Sequence, residues 1–192
     1  MKLYFYYGVM GSSKTANALM MKFNFEEKGK NVLLIKPSID TREKGNLVTS
    51  RIGISAKAQL LEPQESILEL LAQFPKTEII IVDEVQFLSS WQIDQLREIA
   101  DSGIPVFCYG LKTDYMCHLF EGSRRLLEVA DTLRELKTMC HCGRKAIINA
   151  RYQGDQIIYE GSQVDIGGND KYTALCYQCW KAGKIGNVSN KG

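Results

Sequence analysis

The sequence predicts an α/β protein: a parallel sheet flanked by helices around a phosphate-binding loop (P-loop), followed by a small metal-held β-hairpin module. Three observations carry this. Short apolar runs with strand character alternate with segments of helical spacing through about residue 139, the rhythm of βαβ units. The first run, Leu3-Tyr4-Phe5-Tyr6-Tyr7, leads directly into Gly8-Val9-Met10-Gly11-Ser12-Ser13-Lys14-Thr15. Beyond Met139 the rhythm stops, and four cysteines fall in two close pairs, Cys140/Cys142 and Cys176/Cys179. The expected division is residues 1–139 for an α/β nucleotide-binding unit and 140–192 for the metal-binding one.

The loop after the first strand suits a polyphosphate. Gly8 lets the chain turn sharply, the backbone N–H groups of Val9, Met10, Gly11, Ser12 and Ser13 surround an anion, Lys14 reaches its outer phosphates, and the Thr15 hydroxyl holds magnesium. Ser13 stands where such a loop usually has its last glycine; a serine is small enough to admit a phosphate, and αR geometry is expected there. The competing reading is an ordinary strand-to-helix turn that happens to carry a lysine.

A helix follows, with Ala18, Leu19, Met21 and Phe25 at helical spacing and Gly29 at the stop position. Val32-Leu33-Leu34-Ile35 reads as a second buried strand. Residues 37–51, with Asp40, Thr41 and Arg42, read as a long polar loop, either mobile at the carboxyl edge of the sheet or simply solvated. Leu60–Phe74 is expected to be helical, closed by Pro75. Glu78-Ile79-Ile80-Ile81-Val82 is a central parallel strand ending in Asp83-Glu84, where doubly wound sheets bind ligands. Trp91–Ala100 is an amphipathic helix and Pro105–Tyr109 the next strand. From Gly110 to Gly122 an aromatic and polar mixture reads as a lid-like wall for a nucleoside-sized ligand, or as plain packing.

Residues 131–138 form a further strand. Ala146-Ile147-Ile148 and Gln156-Ile157-Ile158-Tyr159 form a hairpin about Gly154-Asp155. A long loop spans Gly161–Tyr172, and a loose tail is expected from about Ala182.

Asp83 and Glu84 divide the work of phosphoryl transfer. Asp83 would bind magnesium or its water, and Glu84 would take the proton from an attacking hydroxyl. The same pair could instead activate water in an ATPase, or cap the next helix. The four cysteines, two close pairs about thirty residues apart, suit a structural zinc ion that anchors the loop 161–172. His141, between the first two, is an alternative ligand. Lone Cys108 and Cys117 complete a set of six cysteines that fits a reducing compartment better than disulfides.

Composition narrows the classes. With 192 residues, 45% apolar and 24% charged, the chain can bury one sizeable core and carry one small module. Residues 1–139 hold 17 basic and 18 acidic side chains and residues 140–192 hold 7 and 4, too little positive charge for a nucleic-acid footprint. No stretch reaches the ~18 apolar residues of a membrane span and no leader pattern is seen, so a cytoplasmic location is expected.

Taken together, Gly8 to Thr15, Asp83-Glu84-Val85-Gln86-Phe87, Tyr109-Gly110-Leu111-x-x-Asp114-Tyr115, Phe120-x-Gly122-Ser123, the cysteine pairs and Ile166-Gly167-Gly168-Asn169-Asp170-Lys171-Tyr172 resemble the type II thymidine kinases, cytosolic enzymes with a zinc-held lasso. The C-x-C first pair is similar to that of enterobacterial members. The resemblance implies phosphorylation of thymidine and deoxyuridine with ATP and magnesium, a structural zinc, and a homotetramer. By position it implies Glu84 as catalytic base, Lys14 and Thr15 as phosphate and magnesium groups, Asp83 and Gln86 beside them, and Asp40 and Arg42 near the phosphates. Met10, Phe87, Leu111, Tyr115 and Phe120 would enclose thymine and deoxyribose. Gln163, Val164, Asp165, Ile166 and Gly167 would bond the base through their backbone, with Tyr172 beside them. Tyr115, where the family usually has phenylalanine, and Ser13, where it has glycine, depart from the pattern. The other functions compatible with the residues are a P-loop ATPase whose zinc module contacts nucleic acid, and a non-catalytic nucleotide-binding module.

Overall fold

The computed structural model describes residues 1–40, 45–161, 163 and 171–186. Six strands form one parallel sheet: β1 (Leu3–Tyr7), β2 (Val32–Pro37), β5 (Gln59–Leu61), β6 (Ile79–Val82), β7 (Val106–Gly110) and β8 (Thr132–Glu135). Their spatial order is β5-β2-β6-β7-β1-β8, so β7 separates the strand that leads into the P-loop from the strand that ends in Asp83. Every neighbouring pair runs parallel. The run of β-branched residues in β6 is buried at all four positions, as a strand covered on both faces requires.

Alternation along the strands sorts their side chains into two layers. Leu3, Phe5, Leu33, Ile35, Ile80, Val82 and Val106 pack with Ile67 and Leu70 of α2 (Ile67–Ala72), with Ile93, Leu96 and Ile99 of α3 (Ser90–Asp101), and with Leu126 of α4 (Glu121–Val129). On the opposite face Leu34, Ile79, Ile81, Phe107 and Tyr109 pack with Ala18 and Leu19 of α1 (Lys14–Glu26). Because all six strands run one way, their carboxyl ends share one edge, and the loops that leave it carry the residues of interest.

Several elements differ from expectation for identifiable reasons. Leu60–Phe74 is not one helix. Leu61 pairs with Pro37 in the sheet, Pro63 interrupts, and α2 begins only at Ile67, capped by the Ser66 hydroxyl, which accepts from the Glu69 N–H at 3.3 Å. The polar segment after β2 contains an antiparallel hairpin, β3 (Leu47–Thr49) with β4 (Ser55–Lys57), whose Val48 is buried. Helix α4 is new: Gly122 and Ser123 are poor helix formers and obscured it. Both are explained by proximity. A Cβ on Gly122 would lie 2.6 Å from the Leu88 carbonyl oxygen and 2.7 Å from that of Val85, and the Ser123 hydroxyl donates to the Leu111 carbonyl.

Beyond the parallel sheet, β9 (Ile148–Gln153), β10 (Gln156–Ile158) and β11 (Tyr172–Leu175) form an antiparallel sheet in the order β10-β9-β11, followed by α5 (Tyr177–Lys181). The expected hairpin is present, starting at Ile148. The third strand went unforeseen. Ala146, Ile148, Ala150, Ile157 and Leu175 pack with Cys140, Cys176 and Cys179. The expected loose tail does not begin at Ala182: the Lys184 N–H donates to the Cys179 carbonyl at 2.9 Å and Ile185 is buried. Residues 187–192 lie outside the described residues. Among those described, no helix is long and apolar enough to cross a membrane.

The tight approach at Gly122 yields a test. Gly122→Ala must push α4 off two backbone carbonyls, and a loss of about 2 kcal/mol is expected from such overpacking, read as a lower urea midpoint at unchanged slope.

Candidate active site

Gly8 leaves β1 with its N–H donating to the Gly110 carbonyl at 3.3 Å, and a Cβ there would stand 2.4 Å from both the Leu136 carbonyl oxygen and the Ser12 hydroxyl. Only glycine fits that position. The Ser12 N–H closes back on the Val9 carbonyl at 3.2 Å, and Gly11 has a φ of +75°. Ser13 departs from the αR geometry expected of it, with φ 59° and ψ 29°. Its carbonyl accepts from both the Asn17 backbone and side-chain amides at 3.0 and 2.8 Å, the first of these opening the ladder of α1. A left-handed non-glycine residue costs roughly 1–2 kcal/mol, which accounts for the preference for glycine there. Lys14 is buried, and its ammonium donates to the Val9 carbonyl at 2.9 Å and to the Ser12 hydroxyl at 3.5 Å. With Thr15 it begins α1, whose free N–H groups and dipole favour an anion.

At the end of β6, Asp83 is buried, and its Oδ1 has no hydrogen-bond partner among the described residues. Burial, reinforced by the neighbouring Glu84 charge, pushes its carboxyl up to about 7, against the opposing hydrogen bond from Thr15. An orphaned oxygen beside a threonine hydroxyl is the hard-oxygen donor set that magnesium takes. Glu84 also sits left-handed, at φ 52° and ψ 37°. Its Oε2 accepts from the Gln86 side-chain amide at 2.6 Å, and Gln86 Oε1 accepts from the Leu111 N–H at 3.0 Å. A Cβ on Gly110 would stand 2.5 Å from that same Oε1, so the Gly110 position must stay bare for the bridge to form. Glu84 makes no side-chain capping bond to the 3-10 turn Val85–Phe87, and α3 is capped by Ser89 and Gln92; the acidic pair is therefore not there to cap α3.

The segment after β7, read as a lid, is a braced turn. Thr113 bridges Leu119 across it, and the buried Asp114 carboxylate accepts from the Met116 and His118 N–H groups at 2.9 Å each. The other oxygen of Asp114 accepts from the Gln163 side-chain amide at 2.9 Å, drawing that residue of the 161–172 segment inward. Tyr115 is almost wholly buried, with the Arg151 guanidinium 5.5 Å from its ring centre. Phe87 and Phe120 meet edge to face, centroids 5.9 Å apart.

These groups border one cavity of about 380 Å³. The phosphate side is Met10, Gly11, Ser13, Lys14 and Thr15; Asp83, Glu84 and Gln86 lie at the strand end; Phe87, Leu111, Tyr115, Phe120, Gln163 and Tyr172 form another part of the wall, and Asp40 lines it too. Four of the expected residues fall outside it. Gly8 and Ser12 shape the loop from beneath, Val9 turns its side chain into the cluster around the cysteines, and Val85 belongs to the main core. Arg42, Val164, Asp165, Ile166 and Gly167 lie outside the described residues.

Sequence reasoning missed Lys36, the hairpin residues Thr49 to Ile52, and Asn149, all of which line the cavity. Lys36 is buried and pairs with Asp40 at 3.4 Å. Since Ile35 is in register with Val82, Lys36 and Asp83 leave adjacent strands together. A single charge ending an apolar run was the available signal for it.

In the smaller sheet's core, the sulfur atoms of Cys140, Cys142, Cys176 and Cys179 all lie within 4.8 Å of one another, and Cys142 and Cys176 are 3.7 Å apart. A tetrahedron of zinc–sulfur bonds has sulfur–sulfur edges of about 3.8 Å, so the four side chains fit that ion. His141 does not join them: its Nε2 is 3.1 Å from the Lys184 carbonyl oxygen.

Comparison with known proteins agrees with this geometry. The family model described as thymidine kinase matches residues 1–180. The chain is 46% identical over 186 residues to a thymidine kinase of Vibrio cholerae, covering 94% of this chain and 96% of that protein. It is 44% identical over 193 residues to that of Legionella pneumophila strain Paris, covering 97% and 92%, and 42% identical over 195 residues to that of Mannheimia succiniciproducens, covering 98% and 99%. With a P-loop and a strand-end acidic pair around one cavity, a four-cysteine cluster in the small sheet beside them, and likeness along nearly the whole length, this chain belongs to the thymidine kinase family.

Proposed function

We propose that the protein transfers the γ-phosphoryl group of ATP to the 5′-hydroxyl of thymidine, and of deoxyuridine, to give the nucleoside monophosphate. The observation that carries this reading is the sharing of one cavity by the P-loop, the Glu84 carboxylate and an aromatic wall. A hydrolase has no need of such a wall, whereas a neutral nucleoside does.

Glu84 accepts the proton of the 5′-hydroxyl as it attacks. Gln86 holds the carboxylate through Oε2, and orientation of this kind supplies much of the rate in phosphoryl transfer. Lys14 and the N-terminal amides of α1 offset charge on the transferred group, with Arg42 as a further cation and Asp40 setting the electrostatics beside it. Phe87, Phe120, Leu111, Met10 and Tyr115 enclose base and sugar. The backbone from Gln163 to Gly167 reads the pyrimidine edge, with Tyr172 packed beside it.

Thr15 and Asp83 would hold magnesium, which when bound neutralises the β- and γ-phosphates. The four cysteines would hold zinc, whose part is to fix the small sheet and the segment 161–172. The proposal extends to two units, residues 1–139 and 140–192, to a cytoplasmic location, and to a homotetramer that contacts neither nucleic acid nor membrane stably.

Phosphoryl transfer from ATP to thymidine with magnesium tests the reaction. Glu84→Gln is expected to lower kcat by about 10²- to 10⁴-fold while thymidine binding persists; ATP hydrolysis indifferent to thymidine would sink the kinase in favour of an ATPase. Ser13→Gly should raise thermal stability by up to about 1 kcal/mol, the relief of left-handed strain less the added chain entropy, and Ser13→Val should lower it by more than that. Cys142→Ser should reduce the zinc content measured by atomic absorption and raise the KM for thymidine, since the segment that carries Gln163 loses its anchor.

A further inference from the structure

Asn149 lies in the middle of the smaller antiparallel sheet and is buried between Ile148 and Ala150, two apolar residues of the cysteine cluster's core. Its amide reaches out of that sheet to two separate segments, one in the cavity wall and one beside it. The Oδ1 atom accepts from the Met10 N–H at 2.7 Å, and Nδ2 donates to the Thr113 carbonyl at 3.0 Å. Met10 is inside the P-loop, and Thr113 opens the braced turn that carries Tyr115. One planar side chain thus joins three elements that are far apart in sequence, and an amide suits this because it offers an acceptor and a donor on one rigid fork.

The strand supplies the aim. Asn149 and Arg151 are two residues apart, so they leave β9 on the same side, and Arg151 stands over the Tyr115 ring. Ile148 and Ala150 leave on the other side, into the core shared with Cys140, Cys176 and Cys179. One face of β9 is therefore seated on the cysteine cluster and the other on the cavity.

The bond to Met10 also bears on the loop itself. The residues between Gly8 and Gly11 have no regular secondary structure, and Gly11 is left-handed. With its Met10 N–H held by Asn149, this stretch has its peptide planes fixed before a phosphate arrives. Preorganisation of that sort shows as affinity.

From this we infer that Asn149 is a positioning residue for nucleotide binding: it fixes the P-loop through Met10 and couples the four-cysteine module to the phosphate site. The inference deepens the function proposed above and rests on it only for the identity of the acceptor; the nucleotide half stands on the loop geometry.

The test uses the full-length, zinc-loaded protein and magnesium-ATP as the probe, with binding measured by calorimetry in the absence of thymidine. Asn149→Ala, at unchanged zinc content, should weaken ATP binding by about tenfold, the size expected when a buried hydrogen-bond partner is removed. In turnover the KM for ATP should rise by a similar factor while kcat at saturating ATP changes less than about threefold. Asn149→Ser, whose hydroxyl can accept and donate, should recover part of the affinity.

Unchanged ATP affinity in a folded, zinc-loaded Asn149→Ala protein would overturn the inference and leave Asn149 as a structural peg. Should Asn149→Ala fail to retain zinc, the serine variant decides the matter, since ATP affinity equal to the unaltered protein's, with the melting temperature alone reduced, is again the overturning result. An unaltered protein that binds magnesium-ATP but phosphorylates no thymidine would remove the proposed reaction and leave this inference standing on its own binding data.

Discussion

The bridge from Glu84 through Gln86 to the Leu111 N–H ties the acidic end of β6 to the segment that leaves β7, and the rest of the site depends on it. Gln86 can lie there only because Gly110 presents no side chain. Leu111 in turn is bound from its carbonyl side by Ser123, and the helix bearing Ser123 approaches through Gly122, which touches the carbonyls of Val85 and Leu88. The orientation of one carboxylate is thus secured by a strand end, a 3-10 turn and a helix, each fitted to the next through a glycine or a small hydroxyl. Such a chain of partners is how a site on strand ends is held to the tolerance that phosphoryl transfer demands.

Backbone strain follows the same map. Among the described residues, the non-glycine positions with positive φ are Ser13, Glu84 and Cys117. The first two line the cavity, and the third closes the Asp114-braced turn that carries Tyr115. Strain persists where surrounding contacts over-determine the chain, and it collects at sites that must be preorganised. Ser13 is fixed by the start of α1, and Glu84 by the amide of Gln86. The stability of the two layers of packed sheet and helix is what makes such local costs tolerable.

The features that were legible in the sequence are local. Gly8 to Thr15, the apolar run of β6 with Asp83 and Glu84 at its end, and the close cysteine pairs each announce themselves within a few residues, because their chemistry depends on neighbours in the chain. What was hidden depends on distant partners. The helix at 121–129 looks weak until Leu88 and Leu111 stand beside Gly122 and Ser123. Lys36 looks like a stray charge until register sets it next to Asp83, and Asn149 looks like a polar interruption in a short strand until Met10 and Thr113 are brought to its amide. Ser13 was placed in the wrong region of backbone space because a serine carries no local sign of the left-handed turn found there. The apolar periodicity of Leu60–Phe74 was misread across Pro63 for a related reason, the pairing of Leu61 with Pro37 in the sheet being non-local.

The order of the parallel sheet bears on how the chain reaches this state. β1 comprises residues 3–7, yet its neighbours are β7 and β8, about a hundred residues or more further on. During synthesis the aromatic run Leu3–Tyr7 leaves the ribosome without a partner and waits until residues 106–135 have followed. Pairings of such long range carry a large loop-closure cost and form slowly. Apolar segments that wait in this way are the ones chaperones shield. The strand that positions the phosphate loop is thus the first made and among the last placed, which makes assembly of the nucleotide site a late event in folding.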